Sequence, residues 1–309
     1  MDTQVVDIVV IGAGPAGLSA ALYAARSHQK VVVLEKDVLG GQMMITAQIE
    51  NVPGSIDNDP FALTDRMVQQ AKQFGAEFRY EEVTSVSIDG PFKTVTTTQN
   101  EWQAKAVILA TGANPRRLGL QGEEKWTGRG LTYCATCDGP FFQGLPIYVV
   151  GGGDAAFDES LYLHTLSDDV TILYRGAKPR AAVVLQERAR EAGIKVVLNT
   201  EVVSLEGEND LDAIVLRDNV TGEEKRIKGN FGLFIYVGME PNTGLVKGQL
   251  ALSPEGYVEA AETTETSVAG VYAAGDVRYK DVRQIVTALS DGASAAIHAV
   301  KYIEQQDAQ

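Results

Sequence analysis

Two cysteines stand three positions apart in Cys134-Ala135-Thr136-Cys137-Asp138, and the 309-residue chain has no others. At this spacing their sulfurs come within bridging reach if one turn of helix forms, and such geometry lowers the pKa of one thiol. Asp138, next in line, is placed to give or take a proton as a thiolate forms and leaves. The residue types point to thiol–disulfide redox chemistry. Half of a zinc site and plain packing are the other readings of the pair. Zinc would need two more ligands, and His28, His164 and His298 show no metal-ligand spacing to the cysteines or to one another. A secreted disulfide framework would use more cysteines, spaced further apart.

A second kind of chemistry is written in glycines. Gly12-Ala13-Gly14-Pro15-Ala16-Gly17 has glycine at its first, third and sixth positions. In a dinucleotide loop the first glycine makes a tight turn and the second lets the backbone approach a pyrophosphate. The third lets helix and strand pack closely, and the helix N-terminus offers partial positive charge. Glu35 lies 18 residues beyond Gly17, where a carboxylate can accept hydrogen bonds from a ribose. Gly151-Gly152-Gly153-Asp154-Ala155-Ala156 repeats the spacing, with alanine in the last place as the pattern permits. The same count from Ala156 reaches Tyr174 instead of an acid, and Arg175 follows. The usual ribose acceptor of an NAD site is therefore missing, while an arginine suits a 2′-phosphate. Arg175, Lys178 and Arg180 form a small basic cluster, whose bland reading is a solvated loop.

Strands and helices must hold these residues. Val6 to Ile11 reads as a strand buried on both faces, running straight into the first glycine loop. Leu18 to Ser27 reads as helix and Val31 to Leu34 as a second strand, giving a βαβ unit of about thirty residues. The same grammar returns with strand Ile147 to Val150, helix Phe157 to Leu166 and strand Val170 to Tyr174. Glu77 to Trp102 and Val196 to Ile227 alternate like antiparallel strands, and Val107 to Gly112 and Phe231 to Gly238 are buried strands meeting turns. Gly270 to Asp276 is a strand ending in an acid, followed by a helix from Gln284 to Gln305. That last segment is too short for a domain and is expected to return to the first. Proline-bearing linkers are read at Asn114 to Leu118 and Gly238 to Thr243.

Composition narrows the classes. Forty-one acidic against 27 basic residues give a formal charge of −14, so a phosphate backbone is a poor partner and nucleic acid is not expected. No apolar run approaches the ~20 residues of a membrane helix, so no membrane span is expected. Val5 to Ala25 is interrupted by Asp7 and Pro15 and follows no basic segment, so it is not read as a signal peptide. The expectation is a cytoplasmic α/β protein.

The order of glycine loop, Thr132-Tyr133-Cys134-Ala135-Thr136-Cys137-Asp138-Gly139, second glycine loop and Gly275-Asp276-Val277 resembles the bacterial, low-molecular-weight thioredoxin reductases along essentially the whole chain. Gly40-Gly41-Gln42-Met43, Glu50-Asn51-Val52-Pro53-Gly54 and Arg283-Gln284 resemble that family's flavin-contacting segments. The resemblance implies two Rossmann-like three-layer nucleotide-binding domains, the second inserted into the first. The FAD domain would span 1–116 plus 245–309, and the pyridine-nucleotide domain, carrying the redox disulfide, 117–244. By the same resemblance FAD would meet Gly12, Gly14, Pro15, Ala16, Gly17, Glu35, Lys36, Gly41, Gln42, Asn51, Thr111, Gly112, Gly275, Asp276, Arg283 and Gln284. The nicotinamide nucleotide would meet Gly151, Gly153, Asp154, Ala155, Ala156, Arg175 and Arg180. Cys137 would face the flavin, Cys134 would attack the disulfide of thioredoxin and Asp138 would handle the proton. The family is a homodimer whose two domains rotate against each other, and the paired linkers suit such a hinge.

One motif departs. NADPH-using members carry His-Arg-Arg and, after three intervening residues, Arg, where this chain reads Tyr174-Arg175-Gly176 and then Arg180. Losing one charge-assisted hydrogen bond of about 1.5–3 kcal/mol weakens 2′-phosphate binding by roughly 10- to 100-fold. The donor is therefore left open between NADPH, NADH and ferredoxin. Two further readings stay beside reductase: a dithiol oxidase of the same fold passing electrons to oxygen, and a nucleotide-sensing flavoprotein without turnover.

Overall fold

The computed structural model describes residues 3–45, 49, 51–56 and 59–308, apart from the side chains of Ile45 and Cys137. Glu50, within one of the segments singled out above, lies outside the described residues.

The chain begins with β1 (Thr3–Ile11), α1 (Pro15–Arg26) and β2 (Val31–Glu35). Ile8, Val9 and Val10 are wholly buried although they point to alternate faces, because both faces of this sheet are covered. Pro15 opens α1 at the position where its missing N–H costs nothing. After α2 (Pro60–Gln73) come β3 (Glu77–Tyr80), β4 (Val83–Ser87), β5 (Lys93–Thr97) and β6 (Glu101–Leu109). The sheet order is β3-β2-β1-β6-β5-β4, the strands from β3 to β6 being parallel and β4-β5-β6 antiparallel.

The antiparallel expectation for Glu77 to Trp102 thus holds for β4 to β6 and fails for β3. That strand follows the helix α2 and completes a second crossover, so it lies parallel to β2, Val32 opposite Glu77.

β7 (Ala113–Pro115) leads out of this first unit. The second unit contains α3 (Glu123–Trp126), β8 (Leu131–Thr132), α4 (Ala135–Asp138), β9 (Ile147–Val150), α5 (Asp154–His164), β10 (Val170–Leu173) and α6 (Val183–Glu191). β11 (Lys195–Val197), β12 (Thr200–Gly207), β13 (Leu211–Asp218), β14 (Glu224–Lys228) and β15 (Gly232–Ile235) complete it. Its sheet, β11-β10-β9-β15-β8, is parallel throughout. Within Val196 to Ile227 the meander is β12-β13-β14, while β11 joins the parallel sheet at its edge.

β16 (Met239–Pro241) pairs with β7 where the chain crosses back. β17 (Val271–Ala273) then adds to β6 in parallel, and α7 (Ile285–Asp307) closes the first unit.

Each unit is three-layered. In the first, Ile8, Val10, Val33 and Ile108 pack under α1, α2 and α7, while Val9, Ile11, Val32 and Trp102 pack with β4, β5 and the 246–258 segment. In the second, Phe157, Leu163 and Ala189 of α5 and α6 cover one face, and β12 to β14 the other. Helices α1 and α7 meet so closely that a Cβ at Gly292 would lie 2.1 Å from the Ala16 carbonyl oxygen.

The units are 1–114 with 240–309, and 115–239. These crossings precede the expected 116/117 and 244/245 by two and five residues. At the second crossing Asn242 is tied to the first unit, its N–H donating to Gly112 O (3.0 Å) and its side-chain amide to Thr111 O (2.8 Å); at the first, the Arg116 N–H donates to Gly238 O (2.9 Å), within the second unit.

Candidate active site

The segment with the cysteines forms the single helical turn that bridging needs. Cys134 precedes α4 and is disulfide-bonded; the side chain of Cys137 lies outside the described residues. The turn is clasped at its ends. The Cys134 N–H donates to Thr132 Oγ1 (3.2 Å), the Asp138 N–H donates to Cys134 O (3.2 Å), and the Thr132 hydroxyl donates to the Asp138 carboxylate. Thr136 Oγ1 stands 3.5 Å from Cys134 Sγ. Buried Ala135 donates its N–H to Tyr236 Oη at 2.7 Å, so the end of β15 supports the middle of the turn.

Three groups beside this turn have displaced titrations. Burial pushes the Tyr236 phenol up, with a further push from Glu159 and Asp138. Burial, then Asp158, pushes the Glu159 carboxyl on α5 up to about 7. Tyr133 is raised by burial and by its hydrogen bond to Glu123 (2.6 Å). Glu123 is itself buried and accepts the N–H groups of Leu118 and Gly119, both at 2.8 Å, fixing the chain just beyond the first crossing. Phe141 follows the turn and is 77% exposed.

The first glycine loop has the shape its spacing calls for. Gly12 has φ +101°, and a Cβ there would lie 2.4 Å from Ala110 O; at Gly17 a Cβ would meet Gly12 O at 1.9 Å. At Gly14 a Cβ would meet nothing within 4 Å, which leaves room beside the start of α1, where no side chain caps the helix. Glu35 reaches back from the end of β2: its carboxylate accepts the N–H groups of Ala13 (2.8 Å), Lys36 (2.9 Å) and Asp37 (3.0 Å). Gly41 approaches Gly14, and Gln42 donates to Ala113 O at 3.1 Å. Thr111 Oγ1 donates to Asn242 O at 2.8 Å.

At the far end of this unit Asn51 donates to the Gln284 side chain (3.0 Å), and Gln284 with Thr287 boxes the N-terminus of α7. Asp276, after Gly275, is raised by burial against the opposing pull of Lys280 and Arg283. Asp291 gathers Gly275 N (3.0 Å), Arg278 Nη1 (3.0 Å) and Lys280 Nζ (2.8 Å). The Arg283 guanidinium lies 4.1 Å over the Tyr257 ring, and its buried Nε has no acceptor among the described residues. An unspent donor, an open glycine and an uncapped helix start are the features a phosphate-bearing, planar heteroaromatic group requires, so the residues fit a flavin dinucleotide.

The second loop repeats the fit. A Cβ at Gly151 would lie 2.3 Å from Tyr236 O, whereas at Gly153 it would meet nothing within 4 Å. No side chain caps α5, and Ala155 at its first turn is exposed beside Ala156, which is buried. Asp154 accepts the N–H of Ala182 at 2.6 Å, drawing the 175–182 segment over the loop. Arg175, Lys178 and Arg180 are exposed. These features suit a dinucleotide.

The structure thus gathers the expected flavin residues in the first unit, Lys36 standing exposed at its edge, and the expected nucleotide residues with the cysteine turn in the second. It adds residues that sequence spacing does not reveal: Tyr236, Glu159, Glu123, Tyr257, Lys280 and Asp291. Only Tyr236 had a signal, its place at the end of a buried strand.

Among known proteins, the family model of the pyridine nucleotide-disulphide oxidoreductases matches residues 6–292. A thioredoxin reductase of Peptoclostridium acidaminophilum is 41% identical over 97% of this chain and 98% of its own. One of Mycolicibacterium smegmatis is 44% identical over 97% of each. The crystal structure of Lactococcus lactis thioredoxin reductase superposes with a TM-score of 0.80 at 39% identity, covering 97% of this chain and 99% of that one.

Proposed function

The chain belongs to the pyridine nucleotide-disulphide oxidoreductase family, among its low-molecular-weight thioredoxin reductases, and from that premise we propose that it reduces the disulfide of a thioredoxin with electrons from NADPH or NADH. It is a flavin-dependent disulfide reductase. The observation that carries the reading is the disulfide-bonded Cys134 in a half-exposed turn gripped by Thr132, Asp138 and Tyr236. The relatives favour neither a ferredoxin donor nor a dithiol oxidase.

FAD, when bound, supplies the two-electron carrier that opens the Cys134–Cys137 disulfide to a dithiol. In our reading it is held by 1–114 with 240–309, the pyrophosphate beside Gly14 and the ribose against Glu35. Asn51, Asp276, Arg283 and Gln284 line its reactive end, where the unspent Arg283 Nε offers a hydrogen bond. The nucleotide lies in 115–239, across Gly153 and the start of α5.

The remaining chemistry belongs to the chain. Asp138, steadied by the Thr132 hydroxyl, takes the proton of Cys134 as its thiolate forms. That thiolate attacks one sulfur of the thioredoxin disulfide, and the other sulfur leaves and is protonated. The Cys137 thiolate then displaces the mixed disulfide, restoring the Cys134–Cys137 bond and releasing the second thiol. Phe141, exposed beside this turn, offers an apolar contact to a protein substrate.

A second copy is proposed to cover the cleft of about 470 Å³ between α1, α2 and α7, lined by Leu18, Leu22, Tyr23, Leu63, Met67 and Leu289.

The test mixes the FAD-loaded protein with a thioredoxin and NADPH or NADH and follows nicotinamide absorbance. Oxidation of either nucleotide that depends on thioredoxin and disappears in Cys134→Ser is expected. Consumption of neither nucleotide overturns the donor assignment.

A further inference from the structure

Beyond β10 the chain makes a fixed platform in front of the second glycine loop. Tyr174 N donates to Val197 O (2.9 Å) and Thr200 N to Tyr174 O (2.9 Å); Asn199 N donates to Gly176 O (3.0 Å) and Asn219 Nδ2 to Arg175 O (3.2 Å). From the other side, Arg180 N (2.7 Å) and Ala181 N (3.0 Å) both donate to Gly152 O. The backbone from 174 to 181 is thereby tied to two strands and to the loop itself.

Within that frame the Tyr174 ring is wedged between two glycines. A Cβ at Gly152 would stand 2.3 Å from ring atoms Cδ2 and Cε2, so the ring lies flat against the loop backbone. A Cβ at Gly176 would stand 2.8 Å from ring atom Cε1 and 3.0 Å from Cζ. The ring cannot yield toward Gly152, and the backbone cannot yield because its hydrogen bonds run to three neighbours. Position 176 is therefore closed to any side chain while Tyr174 is present.

The geometry points to Tyr174 as the residue that sets what this loop reads at the ribose 2′ position: it supplies no carboxylate to demand a hydroxyl, bars a cation from 176, and leaves a 2′-phosphate to the exposed Arg175 and Arg180, so that the site takes nicotinamide dinucleotides with or without that phosphate. The inference rests on the second loop being the nucleotide site. An exposed cation–anion pair contributes a factor of roughly 2 to 5 in affinity, so these two arginines give a preference of about 4- to 25-fold for the phosphorylated ribose.

The experiment titrates the FAD-loaded chain calorimetrically with 5′-AMP and with 2′,5′-ADP, and records thermal midpoints in the absence of nucleotide. The wild type should favour 2′,5′-ADP by no more than about 25-fold, and Arg175→Ser/Arg180→Ser should bring the ratio near one. Gly176→Arg and the milder Gly176→Ala should lower the midpoint without changing the ratio more than twofold. Tyr174→Ala should absorb that loss, so that the cycle of Tyr174→Ala and Gly176→Ala is non-additive. Tyr174→Ala/Gly176→Arg should raise the ratio by about 2- to 5-fold over Tyr174→Ala. If Gly176→Arg alone raises the ratio as far as the double variant with an unchanged midpoint, Tyr174 does not control position 176 and the inference falls. If neither probe binds the wild type or any variant, the nucleotide reading of the second loop fails and carries the inference with it.

Discussion

Tyr236 Oη accepts the backbone N–H of Ala135 at 2.7 Å, across 101 residues of sequence. Ala135 is buried directly after Cys134, so this bond sets the pitch of the redox turn from the end of β15. Burial raises the phenol's pKa, which keeps its oxygen neutral and its own proton in place across the neutral range. Tyr236→Phe removes the acceptor and leaves a buried amide unpaired, a cost of about 1–3 kcal/mol. Thioredoxin turnover should fall several-fold while the flavin content of the purified protein stays at the wild-type level. Unchanged turnover, read by nucleotide oxidation, would show that the turn holds itself.

The glycines of each loop divide into two kinds, and substitution should separate them. Gly12 and Gly17 in the first loop, and Gly151 in the second, face backbone oxygens at 2.4, 1.9 and 2.3 Å from where a Cβ would stand, so alanine there must disturb the fold itself. Gly14 and Gly153 face open space, so alanine there costs the empty chain nothing and takes up the room a pyrophosphate needs. Gly14→Ala should unfold at the wild-type temperature without flavin and come out of purification pale. Gly153→Ala should keep its flavin and lose nucleotide affinity by about 10-fold or more. Gly17→Ala should lose both flavin and stability. Absorbance spectra and thermal melts of the three variants decide the matter.

What the sequence disclosed follows from the same sterics. A turn that only glycine can make, between a strand buried on both faces and an alanine-rich helix, leaves its mark within a dozen residues, which is why both loops and their strands were legible. Edge pairing leaves no such mark. Residues 77–80 and 195–197 are short strands with no fully buried residue to mark their pairing, and only the crossovers before them determine that they lie parallel to β2 and β10. Glu159 and Asp291 were silent for a related reason: each is a single residue with no spacing, placed by packing between segments far apart in the chain. The second crossing falls earlier than expected because Asn242 spends its hydrogen bonds on the first unit, and the first because Arg116 bonds to Gly238 in the second.

Glu81 is the strongest test of how the first unit is held. It is 4% exposed, and its carboxylate accepts Thr97 Oγ1 (2.6 Å), Asn100 Nδ2 (2.8 Å) and Trp102 Nε1 (3.3 Å). One acid thereby fastens β5, β6 and their turn beneath the end of β3. Glu81→Ala removes the acceptor of two buried donors, Thr97 and Trp102, and of the half-buried Asn100 amide, and the expected loss is roughly 3–5 kcal/mol. In urea titrations the transition that releases flavin should move to lower denaturant, while 2′,5′-ADP binding in the other unit is unaffected. Equal midpoints would mean that water replaces the carboxylate without loss.

Glu159 gives the protein a pH dependence of definite sign. Its carboxyl is held up to about 7 in the folded chain, first by burial and then by the charge of Asp158. An unfolded glutamate titrates near 4.3. Between those values the folded state keeps a proton that the unfolded state has released, so rising pH favours unfolding across that window and adds no further penalty above it. Glu159→Gln does not titrate and should track the protonated form. The variant and the wild type should unfold alike at about pH 4, and at about pH 8 the variant should be the more stable. The difference should be on the order of 1 kcal/mol, the side chain being only partly buried. Denaturant titrations of both proteins across this range provide the measurement. A wild type that gains on the variant as pH rises would place the carboxyl in a polar site, contrary to the packing of α5 around it.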